Sequence, residues 1–233
     1  MASRTVVIHQ PDFLSYLGFF HRFLHADLYV ALDTAQFVTN TSKAWQNRDK
    51  IKTPAGEKWL TVAVDKPHGF TAIKDVLLST RSDWRKDNLN LLRENYRKAP
   101  FFGEIFPRLE ALYATATEKL VDLNLASIRL MNELFGITIE TVMASSLSPE
   151  GKSNEMLVDV LKKVGATTYL SGTGARAYYD PKPFEAAGIE VKWQEFEHPV
   201  YPQLHGPFLP FLSGIDVLFN CGIEKSRQLL RES

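Results

Sequence analysis

The sequence predicts an α/β fold: a three-layer, mostly parallel sheet covered by helices on both faces. Three observations carry this reading. Val6-Val7-Ile8, Leu28 to Leu32 and Thr167 to Leu170 are short β-branched or apolar runs, the pattern of strands buried on both faces. Each is followed by a loop and then by a segment of helical spacing. At the N-terminus a strand, loop, helix and strand fit within about 30 residues, the spacing of a right-handed βαβ unit.

The elements follow in order. Arg4 to His9 is the first strand, and Gln10 to Ser15 a loop. Tyr16 to His25 reads as a helix with an aromatic face, which Asp27 ends before the second strand, Leu28 to Leu32. Val38 to Lys52 is polar and basic and reads as a loop; Thr53-Pro54-Ala55-Gly56 is a turn. Lys58 to Val64 alternates as a strand does, Lys66 to Gly69 turns, and Ile73 to Leu78 is a further strand. Ser82-Asp83 opens a helix continued by Leu89, Leu92 and Tyr96; Leu109 to Tyr113 and Leu120 to Phe135 are helical and end at Gly136. Residues 82–136 therefore read as a helical insert or sub-layer within a single domain, 1–233. Thr138 to Met143 is a strand, and Gly151-Lys152-Ser153 opens a helix that Gly165 stops. The Thr167 strand runs into Ser171-Gly172-Thr173-Gly174. Then come a short helix (Pro183 to Ala187), a strand (Ile189 to Phe196), a proline-rich loop (His198 to Pro210) and closing helices at Gly214 to Phe219 and Glu224 to Leu230.

Composition narrows the function. The 27 Lys and Arg balance 27 Asp and Glu. A nucleic-acid binder needs a basic surplus to displace counterions, so no nucleic-acid partner is expected. A single cysteine, Cys221, excludes an internal disulfide framework and any Cys-rich metal site and suits a reducing cytoplasm; it reads as a small buried hydrophobe rather than a nucleophile. Val6-Val7-Ile8 is far shorter than the roughly 20 apolar residues of a membrane span, so a cytoplasmic protein with no membrane partner is expected.

In such sheets ligands bind beyond the carboxyl ends of the strands, where the strand order reverses. His9, Gln10, Asp12, Asp33, Gln36 and Ser171 fall there. In His9-Gln10-Pro11-Asp12, His9 is placed as a general base or phosphate ligand, the bland alternative being a histidine hydrogen-bonded to backbone. Lys43-Ala44-Trp45-Gln46-Asn47-Arg48 gathers two cations, two amides and a tryptophan, a set that suits an anionic or sugar ligand, or else a solvated loop. Tyr169 to Arg176 leads a strand into a turn where Ser171, Gly172 and Gly174 can aim backbone N–H groups at an anion, with Arg176 adding charge. Lys152 stands at a helix start that lacks the rest of a phosphate loop. His198, Tyr201, Gln203 and His205 share the proline-stiffened loop. Two histidines seven apart match no metal-ligand spacing, so no metal site is read, and roles at a pocket rim or a clamp on the sheet remain.

Together and in this order, these segments resemble the WbqC-like protein family. The match is carried by His9-Gln10-Pro11, Tyr16-Leu17-Gly18-Phe19-Phe20-His21, Ala26-Asp27, Gln36-Phe37, Trp45-Gln46-Asn47-Arg48 with Ile51-Lys52, and Trp59-Leu60-Thr61-Val62. It continues through Asn95-Tyr96, Lys98-Ala99-Pro100, Glu150-Gly151-Lys152, Tyr169-Leu170-Ser171-Gly172, His198 to Gly206 and Leu218-Phe219-Asn220-Cys221-Gly222. The chain departs at Ser15-Tyr16, where the family usually has Pro-Trp, at Thr34-Ala35 for Asp-Val, and at Arg176 for lysine. The first two departures touch the expected pocket floor. The resemblance implies a place in O-antigen biosynthesis and a glycine (aminoacyl) transferase role. A fainter resemblance, to the nucleotidyltransferase-like Rossmannoid fold, rests on the first βαβ unit. Its HxGH motif would fall on Tyr16-Leu17-Gly18-Phe19, with the glycine kept and both histidines gone.

The expected function is a transferase moving an acyl or aminoacyl group, such as glycyl, onto the amine of an activated amino sugar. His9, His198 or His205 would handle the proton, and Lys43, Arg48 and the Ser171 to Gly174 turn would hold phosphate or the developing oxyanion. The substrate is a small molecule with an anionic group. The sequence assigns no cofactor, and an acyl-coenzyme A, a carrier-protein thioester or an aminoacyl adenylate all fit as donor. The alternatives are an ATP-dependent adenylate-forming ligase or nucleotidyltransferase, and a non-enzymatic nucleotide- or sugar-binding accessory protein. His9, Arg48, Ser171 and His205 are expected to converge on one cleft lined by Trp45 and Tyr201.

Overall fold

The structure, a computed structural model, describes residues 3–38, 44–67 and 69–233. Strand β1 (Thr5–His9) leads into helix α1 (Leu17–His21), which tightens into a 3-10 turn at Arg22–His25 before β2 (Leu28–Ala31). A hairpin of β3 (Arg48–Thr53) and β4 (Gly56–Thr61) follows, then α2 (Trp84–Tyr96), α3 (Phe102–Tyr113) and α4 (Leu120–Phe135). The chain returns through β5 (Glu140–Met143), α5 (Ser153–Lys163), β6 (Thr168–Ser171), α6 (Pro181–Ala186), β7 (Glu190–Trp193) and α7 (Ile215–Arg231).

The central sheet has five strands in the order β5-β2-β1-β6-β7, every neighbouring pair parallel. The chain winds outward from β1 through β2 to β5, then crosses back to β6 on the other side of β1. The switch point therefore lies between the carboxyl ends of β1 and β6. Register places Val6 opposite Leu28 on one side and Tyr169 on the other, so His9 and Ser171 leave the sheet at the same edge.

Period-2 alternation sorts the strand residues into two cores. Val7, Tyr29, Ala31 and Leu170 join the core built with α1, α4 and α7. Val6, Ile8, Leu28, Val30 and Tyr169 face the other way, onto Val158 and Leu161 of α5 and Phe184 of α6. Each apolar side chain so buried contributes roughly 1.5–3 kcal/mol. These two packed faces make the three layers that the apolar runs predict.

Local chemistry sets the helix ends. Asp83 accepts from the Lys86 amide at the start of α2, and Asp180 accepts from the Lys182 amide ahead of α6, where Pro181 takes the first position. Gly136 closes α4 in the left-handed region at φ 65°. Near its middle α7 is kinked at Gly222, whose backbone (φ 75°, ψ 175°) suits glycine alone.

Two expected elements differ. The expected loop 38–52 ends in a strand, β3, paired antiparallel with β4 from Arg48↔Thr61 to Thr53↔Gly56. Of the inward positions of β3 only Ile51 is apolar and aliphatic, because Asp49 occupies another, so the alternation is hidden. Ile73 to Leu78, expected as a strand, forms a 3-10 turn at Ile73–Asp75, because its amides turn to the loop after β2. Ile73 N donates to Ala35 O and Lys74 N to Asp33 O.

Candidate functional site

His9 ends β1, and its ring meets Phe19 edge-on at 5.3 Å. Its Nδ1 stands 2.9 Å from the Gln10 carbonyl oxygen. A carbonyl only accepts, so Nδ1 carries the proton and Nε2 holds the lone pair. Burial, reinforced by the Arg22 guanidinium, pushes the imidazole pKa down to about 3. His9 is therefore a neutral proton acceptor at neutral pH.

Four ionisable groups lie about this strand exit. Asp12 reaches to 3.6 Å from His9 Nδ1 with one carboxylate oxygen, while the other is buried without a hydrogen-bond partner. Burial pushes Asp12 up to about 7 although Arg22 pulls it down. Asp49, on β3, is buried and held well above the carboxylate range by desolvation and by Asp12, against the hydrogen bond from the Lys50 amide. The phenol of Tyr16 is raised by burial and feels Arg22, Asp49 and Asp12 in turn. Arg22 is 4% exposed; its guanidinium lies 5.5 Å from the Phe19 ring and beside Gly172. Two buried carboxyls, a neutral histidine and a buried cation thus share one strand exit.

The structure joins part of the basic segment to this exit. Gln46 Nε2 donates to Gln10 Oε1 at 2.7 Å, and Asn124 Nδ2 ties the Pro11 and Gln46 carbonyls together. Asn47 spends its amide on the Val62 carbonyl. Arg48 stacks over Trp59 at 4.2 Å and donates Nε to the Ala44 carbonyl, and Trp45 packs on the same Trp59. Arg48 and Trp45 are thus engaged on the hairpin, and Lys43 lies outside the described residues.

On the β6 side, Ser171 is buried and its carbonyl accepts from the Gln194 amide. Gly172 opens a 3-10 turn, Thr173–Tyr178, that is exposed from Thr173, through Gly174 and Arg176, to Tyr178. Lys152 is exposed at the start of α5, a helix whose Asn154 donates Nδ2 to the Tyr178 carbonyl at the end of this turn. Asp33, at the exit of β2, accepts from the Ser145 amide with one oxygen and buries the other without a partner.

Arg176 lies 5.2 Å from the Trp193 ring and lines a cleft of about 610 Å3 beside β6 and β7 with His21, His25 and Gln194. Gln194 Nε2 donates to the Gly18 carbonyl and faces His21 Nδ1 at 3.3 Å, so that nitrogen accepts. His21 then carries its proton on Nε2 and donates to His25 Nε2 at 3.3 Å. Among the described residues no group of three His, Cys, Asp or Glu side chains is placed to hold a metal ion.

The proline-rich loop is a strap with a different anchor. Lys52 of β3 is 1% exposed, and its Nζ donates to Gln203 Oε1 and to the Gly206 and Pro207 carbonyls. His205 faces the Asn95 carbonyl through Nε2 at 2.8 Å. Tyr201 and Tyr96 both donate to Asp216, at 2.9 and 2.7 Å. His198 sits among Tyr201, Phe196, Phe208 and Phe211, its Nδ1 against the Pro199 carbonyl and its Nε2 buried without a partner. Tyr16 touches Phe196 and Phe211 and so links this aromatic cluster to the β1 exit. His9, Gln10, Gln46, Ser171 and Gly172 thus gather at the switch point, Arg48 and Trp45 on the hairpin, and Gln203 and His205 around the strap. Cys221 is half-buried, and desolvation and Asp216 raise its thiol.

The model of the WbqC-like protein family matches residues 10–228. The chain is 34% identical over 227 residues to "Uncharacterized protein Rv1507c" of Mycobacterium tuberculosis (strain ATCC 25618 / H37Rv), a match covering 95% of each. No solved structure matches the chain. Among the described residues no helix is long and apolar enough to cross a membrane.

Proposed function

The chain belongs to the WbqC-like protein family, and from that premise we propose that it is a transferase acting at the β1 exit. It moves an acyl or aminoacyl group onto the amine of a small substrate that carries an anionic group. An activated amino sugar of surface-polysaccharide or related biosynthesis is the class that fits. The observation that carries the reading is the geometry of His9: Nδ1 is committed to the Gln10 carbonyl at 2.9 Å, which leaves Nε2, without a protein partner among the described residues, to accept a proton.

An amine attacking a thioester or other activated acyl carbon must lose a proton as the C–N bond forms and the bond to the leaving group breaks. His9 Nε2 takes that proton. Burial first, and the nearby Arg22 second, hold the imidazole weakly basic while it stands alone. An anion bound there offsets the Arg22 contribution and so raises the basicity of His9 in part.

The test is amide formation from acetyl- or glycyl-thioester donors and nucleotide-linked amino sugars, read as a mass increase on the sugar. His9→Ala and His9→Gln should abolish turnover. His205→Ala should leave it within about twofold, because His205 is engaged with the Asn95 carbonyl. If His9→Ala turns over as the unaltered protein does, the assignment fails. The five-stranded doubly wound order also suits a nucleotide at the switch point and supports the adenylate-forming ligase as second reading. Pyrophosphate released from ATP in the presence of acid and amine would favour it over the first.

A further inference from the structure

We infer that Arg22 is an anion-binding residue whose guanidinium takes a phosphate group of the substrate between the ends of β1 and β6. This deepens the reading of the β1 exit as the substrate site and rests on it for the substrate's identity, though not for the binding itself.

Arg22 is 96% buried, the complement of its 4% exposure, and among the described residues it makes no ion pair and no hydrogen bond. Its Nε is buried without a partner. A guanidinium cannot shed its proton to escape burial, as a lysine or histidine can. A buried charge with no partner is strongly destabilising, so such a group is kept where something else supplies the counter-charge. The Phe19 face offers only a cation–π contact at 5.5 Å. Asp12 is the carboxylate that Arg22 influences most directly. It lies outside ion-pair range, and with a pKa of about 7 it carries only part of a charge at neutral pH.

Space and surroundings point the same way. A Cβ built on Gly172 would stand 3.4 Å from Arg22 Nη1, so a side chain at this position would lie over the guanidinium. Glycine leaves that approach open. A Cβ on Gly174, two residues on, would meet nothing within 4 Å. The 3-10 turn that follows Gly172 is exposed. A buried guanidinium with no ion pair, open on the Gly172 side, presents its donor fork to an anion, and phosphate, which bears more than one negative charge and three acceptor oxygens, offsets it more fully than a lone carboxylate.

The test is titration calorimetry with inorganic phosphate, and with acetate as the carboxylate probe, on the full chain without any acyl donor. Phosphate should bind. Arg22→Met should weaken it at least about tenfold, while Arg22→Lys should recover part of the loss because the charge survives without the fork. Gly172→Val, at an ordinary φ of −73°, keeps the arginine and should lose binding to a similar degree, which separates occlusion of the site from misfolding. Unchanged phosphate binding in both Arg22→Met and Gly172→Val overturns the inference, as does no phosphate binding by the unaltered protein. Acetate binding as tightly as phosphate overturns the phosphate assignment. Phosphate binding at Arg22 with no amide formed from any donor would retire the transferase reading and leave this site standing.

Discussion

The carboxylate of Asp12 stands 3.6 Å from the Nδ1 of His9, inside ion-pair range but outside hydrogen-bond range, and the two groups are displaced in opposite directions. Burial lowers His9 to about 3 and raises Asp12 to about 7. The site thus holds a histidine that stays neutral and an aspartic acid that keeps much of its proton at neutral pH.

That opposition predicts a pH dependence of stability. Asp12 binds its proton more tightly folded (about 7) than unfolded (3.8), so its contribution is complete below about pH 4 and is lost as pH rises towards 7. Asp12→Asn removes this loss. The variant should therefore gain stability relative to the unaltered protein between pH 5 and pH 8, read as Tm by calorimetry at both. A difference in Tm that is the same at pH 5 and pH 8 would contradict the assignment.

The kink of α7 predicts a large local cost. A Cβ on Gly222 would stand 2.5 Å from the Phe101 ring, at a φ of 75° and a ψ of 175°. Gly222→Ala should cost about 3 kcal/mol or more, backbone strain and clash together. Gly165→Ala, also at positive φ but with nothing within 4 Å, should cost only about 1 kcal/mol. Urea denaturation of the two variants reads the difference. Adding Phe101→Ala to Gly222→Ala relieves the clash, so the double variant should cost less than the sum of the two single ones.

The strap should loosen when its anchor is removed. Lys52→Met strips the donors from the Gln203 side chain and the Gly206 and Pro207 carbonyls, while the methionine fills the space. We expect a loss of about 2–4 kcal/mol in urea. Amide exchange should quicken at Leu204 and Leu209, whose amides donate to Asn220 and Gln203. Unchanged exchange there would mean that the aromatic packing of Tyr201 and Phe208 holds the strap alone.

Much of this was legible in the sequence. The three apolar runs mark strands of the parallel sheet, and His9, Gln10 and Ser171 could be placed at the strand ends because strand length follows directly from those runs. Arg22 was hidden within the aromatic face of the first helix, where a cation in a last turn reads as an ordinary solvated cap. Asp49 and Lys52 lie in a strand whose alternation they themselves break, one buried towards Asp12 and the other under the strap. Nothing in the spacing of His205 shows that it meets the Asn95 carbonyl, since that contact spans 110 residues. Long-range pairing of polar groups leaves no periodic signature, whereas burial of apolar ones does.

The most direct test of the account is the protonation state of His9 itself. With 15N-labelled histidine, and the His9→Gln spectrum to assign the signal among six histidines, NMR reads both tautomer and titration. The expected result is a neutral ring with its proton on Nδ1 that does not titrate between pH 8 and pH 5. A midpoint near the ordinary histidine value of about 6.5, or a proton on Nε2, would contradict it.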